Sequence, residues 1–164
     1  APLEIPHNTG VLTGSVIQIN VSPGGLPKRP VREAALTPLG FAGDAQAHPD
    51  VHGGPLKAVL LIPAEVTDEL AARGFPLFYG ALGENLTTRG LDIRELRPGM
   101  RLRLPDASIE LTQLRKPCPE LDIYGAALSR AIEEDPPLGG YYARVVRAGT
   151  VRVDDIISVS DVSV

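Results

Sequence analysis

The segment GMRLRLPDASIELTQLRKPCPEL, residues 99–121, decides the fold class, because it has the pattern of a hairpin that ends at the protein's single cysteine. Residues 100–104 and 108–115 alternate between apolar and polar side chains, as half-buried strands do, and PDAS supplies turn residues between them. A proline stands on each side of Cys118, where the hydrogen-bond ladder must stop. The segment therefore predicts a strand pair that carries a thiol to its rim.

Further strands are predicted on both sides of this hairpin, and helices are few. The helix prediction is clearest at residues 64–74, ended by Gly74, and a shorter helix is predicted at residues 124–135. Strands do not alternate regularly with helices, so we expect a mostly-β barrel with helical decorations rather than a doubly wound sheet. The other strands are predicted at residues 14–22, 31–37 and 55–63, and as two strands about a turn at Gly149 within residues 140–160.

Length, composition and net charge limit the classes of protein to which this chain can belong. The chain has 164 residues, of which 43% are hydrophobic, as expected for one domain. The net charge of −4 and the lack of tryptophan disfavour nucleic-acid and anionic-membrane partners. One cysteine excludes an internal disulfide and a multi-cysteine metal site, and it fits a reducing compartment. With no secretory signal and no run of about 20 apolar residues, a soluble cytoplasmic protein is expected.

The neighbours of Cys118 leave two interpretations of this thiol open. A period of two puts Gln113 and Arg115 on the same strand face as Leu111, so Arg115 is expected to point toward the barrel mouth. A fixed positive charge there favours the thiolate, which is both a nucleophile and a ligand for soft metals. The alternative is that Cys118 is a small buried apolar group, as lone cysteines often are.

A glycine loop precedes the strand at residues 55–63. Gly53 and Gly54 permit backbone N–H groups to approach an anion closely, and Lys57 would add a charge; the alternative is a plain turn with a solvated lysine. Three residues of metal-ligand type lie in the same loop: His48, Asp50 and His52. Their spacing matches no standard zinc motif, so a structural or hydrogen-bonding His52 is favoured.

Two further stretches carry polar groups. GENLTT places Glu84, Asn85 and Thr87 at the start of a strand, and composition alone favours a polar turn and strand edge there. Asp44 follows a glycine turn, where an Asx-type cap is the ordinary role. Glycine loops, cations and a thiol together suit an anionic ligand with a soft centre.

These motifs, taken in order, resemble the MOSC domain, which is the C-terminal domain of molybdenum-cofactor sulfurases and also occurs as stand-alone bacterial proteins. The resemblance runs from about Gly14 to Val159, so residues 1–164 are interpreted as one domain with its core at about 14–159. The chain is similar to the small stand-alone type, without the fused pyridoxal-phosphate sulfurase domain. The motifs that carry it are SVIQINVSPGGLPKRPV, GFAGDAQ, HGGPLKAV, GALGENLTTRGL, RKPCPEL and YYARVVRAGTVRVDDII.

The resemblance implies a β-barrel related to the barrel domain of pyruvate kinase, and molybdenum cofactor as the ligand. It implies that Cys118 is the catalytic residue, which carries sulfur as a persulfide or ligates molybdenum. Pyridoxal phosphate is not expected. HGGPLKAV departs from the family at Pro-Leu-Lys, which weakens the implied role of Lys57. The cofactor-binding residues that the resemblance implies are His52, Gly53, Gly54, Lys57, Glu84, Asn85, Thr87 and Arg115.

Two activities follow from the resemblance. The first is redox chemistry, namely reduction of N-hydroxylated small-molecule substrates, with electrons from a donor protein because the sequence has no flavin or iron–sulfur motif. The alternative is a sulfur carrier that transfers persulfide sulfur from Cys118 between a donor and an acceptor protein for metal–sulfur cofactor assembly. A third hypothesis is a plain binding module with an inert thiol. Whether the protein forms a homodimer is left open.

Overall fold

The computed structural model describes residues 12–45 and 54–160, and every structural statement below refers to these residues. They form strands, two α-helices and several short 3-10 helices. The helices are α1 (Ala64–Ala72) and α2 (Leu128–Glu134). The strands are β1 (Leu12–Val21), β2 (Arg29–Val31), β3 (Glu33–Thr37), β4 (Gly40–Phe41), β5 (Val59–Pro63), β6 (Leu86–Arg89), β7 (Arg101–Arg103), β8 (Ser108–Leu114), β9 (Tyr141–Arg147), β10 (Gly149–Arg152) and β11 (Ile156–Ser160).

Seven strands close a barrel. Around the barrel the order is β1, β11, β7, β8, β9, β5 and β6, and β6 pairs back with β1. All of these pairs are antiparallel except β5 with β6, which α1 connects as a crossover. Strand β2 extends the sheet from β1, and β10, β3 and β4 form a small second sheet. The mostly-β barrel predicted from the sequence is confirmed.

Helix α1 confirms the clearest helix prediction. Its inner face buries Val66 and Leu70 against the core, and its first turn carries Glu65, which suits the positive end of the helix dipole. Ala71, next in the chain after Leu70, is exposed. Gly74 follows the helix with a positive φ of 103°, a conformation that glycine adopts without strain.

The predicted hairpin is β7 paired with β8, but three other strand predictions need correction. Residues 31–37 contain the last residue of β2 and the whole of β3. Residues 55–63 begin with a 3-10 helix, Pro55–Lys57, before β5. The C-terminal segment holds three strands rather than two. Strand β10 leaves the barrel to pair with β3, and Asp154, with a φ of 77°, makes the turn that returns the chain to the barrel as β11.

Two β-bulges explain where strict alternation fails. In β1 the register shifts between Val16 and Gln18, so that Val16 and Ile19 are both buried. In β8 it shifts between Leu111 and Gln113. Gln113 is therefore exposed, against the sequence prediction, whereas Arg115 is buried as expected.

One apolar cluster fills the barrel and continues under α1, α2 and the small sheet. All five residues of β5 are buried, as expected for a strand covered on both faces. No helix in residues 12–45 or 54–160 is long and apolar enough to cross a membrane.

Candidate functional site

A pocket lies where the end of β8, the start of β9 and the segment before β6 meet. Its volume is about 60 Å³. The apolar wall is made of Leu60, Leu82, Leu121 and Tyr142, with Leu26 and two backbone glycines. The polar groups that line it are Lys28, Asn85, Arg115, Cys118 and Glu120.

Cys118 is half-buried and borders this pocket. It directly precedes a 3-10 helix, Pro119–Tyr124, and its carbonyl oxygen accepts hydrogen bonds from the Leu121 N–H at 3.1 Å and the Ser129 hydroxyl at 3.1 Å. The backbone at the thiol is therefore held from two sides. Cys118 is thus partly exposed at the pocket and also packs against the hydrophobic core.

Arg115 is 6% exposed and is fixed by backbone carbonyls rather than by an acid. Its Nε donates to the Gly139 oxygen at 3.2 Å and its Nη1 to the Leu82 oxygen at 3.0 Å. Its Nη2 is buried and has no hydrogen-bond partner in the part of the chain that the structure describes. A buried cation with a free donor at a pocket wall calls for an acceptor from outside, because an unmade charged hydrogen bond is costly.

Burial lowers the pKa of the Arg115 guanidinium, and interaction with Tyr142 and Glu84 opposes that shift. The guanidinium charge also interacts with the sulfur of Cys118. Arginine nevertheless keeps its charge in folded proteins. The pocket therefore combines a fixed positive charge with an accessible thiol.

Glu84 and Thr87 lie behind the pocket wall rather than in it. Glu84 is fully buried; its Oε2 accepts from the Gly80 N–H at 3.0 Å and from the Thr87 hydroxyl at 3.2 Å. Its Oε1 is buried without a partner among the described residues, as is the Tyr124 hydroxyl. Burial raises the pKa of Glu84, which these two hydrogen bonds only partly offset. The polar turn and strand start favoured by composition are present, but Glu84, Asn85 and Thr87 are buried there rather than solvated.

Asn85 lines the pocket, but its amide hydrogens are in use. Its Nδ2 donates to the Asn20 oxygen at 3.2 Å and to Asp44 Oδ2 at 2.9 Å, while its Oδ1 accepts from the Leu60 N–H at 3.0 Å. Lys28 Nζ lies 2.7 Å from both oxygens of Asp44. These bonds tie β1, β5 and the segment before β6 into one rigid wall.

Asp44 is therefore more than the turn cap that sequence predicts. It is buried with Lys28 as an ion pair and also accepts from the Ser22 N–H at 2.9 Å. Sequence analysis missed Lys28, Tyr142 and Gly139 altogether. Their stretches carry only turn or strand signals, and the chemistry of each depends on partners far away in the chain.

The glycine-loop residues are only partly placed. Gly54 is exposed with a φ of 95°, and the 3-10 helix Pro55–Lys57 begins after it. Lys57 Nζ lies 5.3 Å from the ring centroid of Tyr142, a cation–π contact beside the pocket rather than a lining position. The remaining predicted residues, His48, Asp50, His52 and Gly53, lie outside the described residues. Within the described ranges no three His, Cys, Asp or Glu side chains come together as a metal-binding group.

Comparison with known proteins identifies the family. The family model of the MOSC domain matches residues 48–158. The chain belongs to the MOSC domain family. MOSC domains are associated in general with binding of molybdenum cofactor, which agrees with a thiol and a buried cation sharing one pocket.

Relatives and solved structures agree with this assignment. Protein YiiM of Escherichia coli is 36% identical over 143 aligned positions, and the match covers 80% of this chain and 63% of that protein. The uncharacterized protein YflK of Bacillus subtilis is 37% identical over 132 residues, 77% of this chain and 59% of that protein. The MOSC chain thus spans about three fifths of these relatives. The crystal structure of YiiM from Geobacillus stearothermophilus superimposes with a TM-score of 0.74 at 25% identity, covering 90% of this chain and 75% of that one.

Proposed function

We propose that this MOSC protein binds molybdenum cofactor at the Cys118 pocket and acts in reduction of N-hydroxylated compounds with an external electron donor. One observation carries the proposal: Arg115 is buried with an unpartnered Nη2 in the pocket that Cys118 borders. A thiolate is a suitable ligand for a soft metal, and a guanidinium is a suitable donor to oxo or phosphate oxygens.

The residues that line the pocket fit the metal end of the cofactor. A volume of about 60 Å³ admits only a few non-hydrogen atoms, because one water-sized sphere takes roughly 10–15 Å³. The metal end suits that space, with Cys118 as ligand and Arg115 as donor. When bound, the cofactor supplies the electron-transfer chemistry.

The chain's own residues would bind the ligand and fix its orientation. Arg115 holds a positive charge at the pocket wall, and its two backbone carbonyl partners keep the guanidinium plane fixed. The Lys28–Asp44–Asn85 network makes the opposite wall rigid, so that few side-chain rotations have to be frozen when a ligand binds. Leu121 and Tyr142 line the same pocket as the thiol and give it an apolar wall.

Elemental analysis tests the proposal. Protein purified from a molybdenum-replete host is expected to contain close to one molybdenum per chain and to reduce an N-hydroxylated amidine when an electron-donor protein is added. The Cys118→Ser variant should lose the metal, and its thermal unfolding should match that of metal-free wild type, because a bound cofactor stabilises only the native state. Equal molybdenum in both proteins, or none in the wild type, would contradict the proposal.

A second function is favoured by the pocket's size. The volume bounded by the described residues is small for a whole pterin, yet ample for a persulfide on a half-buried thiol. In this alternative Cys118 accepts a sulfane sulfur and yields it to an acceptor protein. A Cys118 persulfide detected by mass spectrometry in molybdenum-free protein would favour this function over the first.

A further inference from the structure

We propose that the Cys118 pocket takes a small oxoanion bearing a sulfane sulfur, of which thiosulfate is the simplest, as the sulfur donor of Cys118. The inference rests on the sulfur-carrier function proposed above and names the chemical class of its donor. Three features of the pocket lead to it: an unpartnered buried donor, a small volume and an accessible thiol.

The first feature is electrostatic. Arg115 keeps one buried donor, Nη2, without a partner among the described residues, while its Nε and Nη1 donate to backbone carbonyls. The charge of the buried acid Glu84 acts on this guanidinium, but burial raises the pKa of Glu84 and so disfavours its charged form. The other lining cation, Lys28, is neutralised by Asp44. The lining carboxylate, Glu120, is only half-buried, so water weakens its repulsion of an anion more than it weakens the attraction of Arg115. The deep part of the pocket therefore favours an anion.

The second feature is size. The volume of about 60 Å³ corresponds to roughly four to six water-sized spheres. A tetrahedral sulfur oxoanion with one extra sulfur has five non-hydrogen atoms. The pocket has room for such an anion, and one of its oxygens would supply an acceptor for Arg115 Nη2.

The third feature is the thiol, which makes the chemistry a sulfur transfer. The Cys118 thiolate attacks the outer sulfur of thiosulfate, a new S–S bond forms, and the S–S bond of thiosulfate breaks with its electron pair leaving on sulfite. Charge is balanced, and neither an oxidant nor a proton is needed. An acceptor such as cyanide then takes the outer sulfur of the persulfide as thiocyanate and regenerates the thiolate.

The test uses molybdenum-free protein with thiosulfate as donor and cyanide as acceptor. The wild type is expected to form thiocyanate and sulfite in equal amounts and to gain the mass of one sulfur on Cys118 when cyanide is left out. Cys118→Ser should do neither. Arg115→Met should slow the transfer by about tenfold or more, since a charge-assisted hydrogen bond is lost. Lys116→Met, which removes an exposed cation next in the chain, should change it by less than about twofold.

A second measurement needs no variant, in case Arg115→Met does not fold. Sulfate should slow alkylation of wild-type Cys118 by iodoacetamide relative to chloride at equal ionic strength. A persulfide that forms from polysulfide but not from thiosulfate would overturn this inference and leave the carrier function standing. No persulfide from either donor would overturn both, and sulfate that gives no protection would overturn the anion site.

Discussion

Glu84 is fully buried and interacts electrostatically with Arg115, and its protonation should affect stability. Burial raises the pKa of Glu84 above the ordinary 4.5, so the native state binds a proton more tightly than the unfolded chain does. The stabilising contribution is complete below pH 4.5 and is lost as pH rises through the raised value. We therefore expect Glu84→Gln to flatten the fall in stability above pH 4.5. Urea unfolding of both proteins from pH 4 to pH 8 measures this.

A matched control separates burial from charge alone. Glu134, at the end of α2, is exposed, and Glu134→Gln should leave the pH profile of the wild type unchanged. If Glu84→Gln also follows the wild-type profile, Glu84 keeps its ordinary pKa in the folded protein, and the buried-acid description is wrong.

Sequence predicted the site at residue scale only in part. Arg115 was expected at the barrel mouth from a period of two, yet the bulge after Leu111 breaks that period and turns Gln113 outward. The irregular segment after β8 happens to restore the inward direction at Arg115. The burial of Glu84 was not predictable, because its partners Gly80 and Thr87 are polar turn and strand residues with no apolar pattern.

At the scale of elements, a buried ion pair joins the loop after β4 to the chain before β2. Asp44→Ala would leave the Lys28 ammonium buried and unpaired. It would also remove the acceptor of hydrogen bonds from the Ser22 N–H and from Asn85 Nδ2. We expect a loss of about 3–5 kcal/mol in the free energy of unfolding. Urea titration of the wild type and the variant measures it. Arg73→Ala, which breaks an exposed ion pair at the end of α1, should cost at most about 0.5 kcal/mol.

The junction before β9 is tight at the pocket. A Cβ at Gly139 would collide with the carbonyl oxygen of Arg115, whose Nε bonds back to the Gly139 oxygen. Gly139→Ala should therefore destabilise the protein by more than about 2 kcal/mol and change the alkylation rate of Cys118. Urea unfolding and iodoacetamide kinetics measure the two effects.

Gly74→Ala is the comparison for backbone strain alone. Gly74 has a positive φ of 103°, and a Cβ added there would meet open space. We therefore expect Gly74→Ala to lower the free energy of unfolding by about 1–2 kcal/mol and to leave the alkylation rate of Cys118 unchanged. An equal effect of the two substitutions on that alkylation would show that Gly139 does not position Arg115.

Element prediction succeeded where the signal is local. The hairpin of β7 and β8 and helix α1 follow from alternation, turn residues and a terminal glycine. The partner of the strand after Gly149 was not predicted, because β10 bonds to β3, more than a hundred residues earlier. Apolar patterning shows that β10 is a strand but contains no information about its partner.

At the scale of the whole molecule, the strand pattern predicts a barrel but does not give the order in which the strands pair to close it. Strand β11 bonds to β1 and to β7, and these pairings join the two ends of the described chain. Such non-local pairing costs chain entropy, and burial of the strands' inner face offsets that cost. The core, the pocket and the wall around Arg115 all depend on that closed ring.

Adjacent isoleucines in β11 test the energetic role of closure. Ile157 is fully buried and faces the core, whereas Ile156 is 56% exposed on the outer face of the same strand. Ile157→Ala should lower the free energy of unfolding by about 2–5 kcal/mol, because it leaves a cavity in the closed barrel, while Ile156→Ala should change it by about 0.5 kcal/mol or less. Urea unfolding followed by circular dichroism measures both variants, and each has the same helix and strand propensity change. A difference below about 1 kcal/mol between them would mean that β11 does not seal the core and that the barrel is open at this seam.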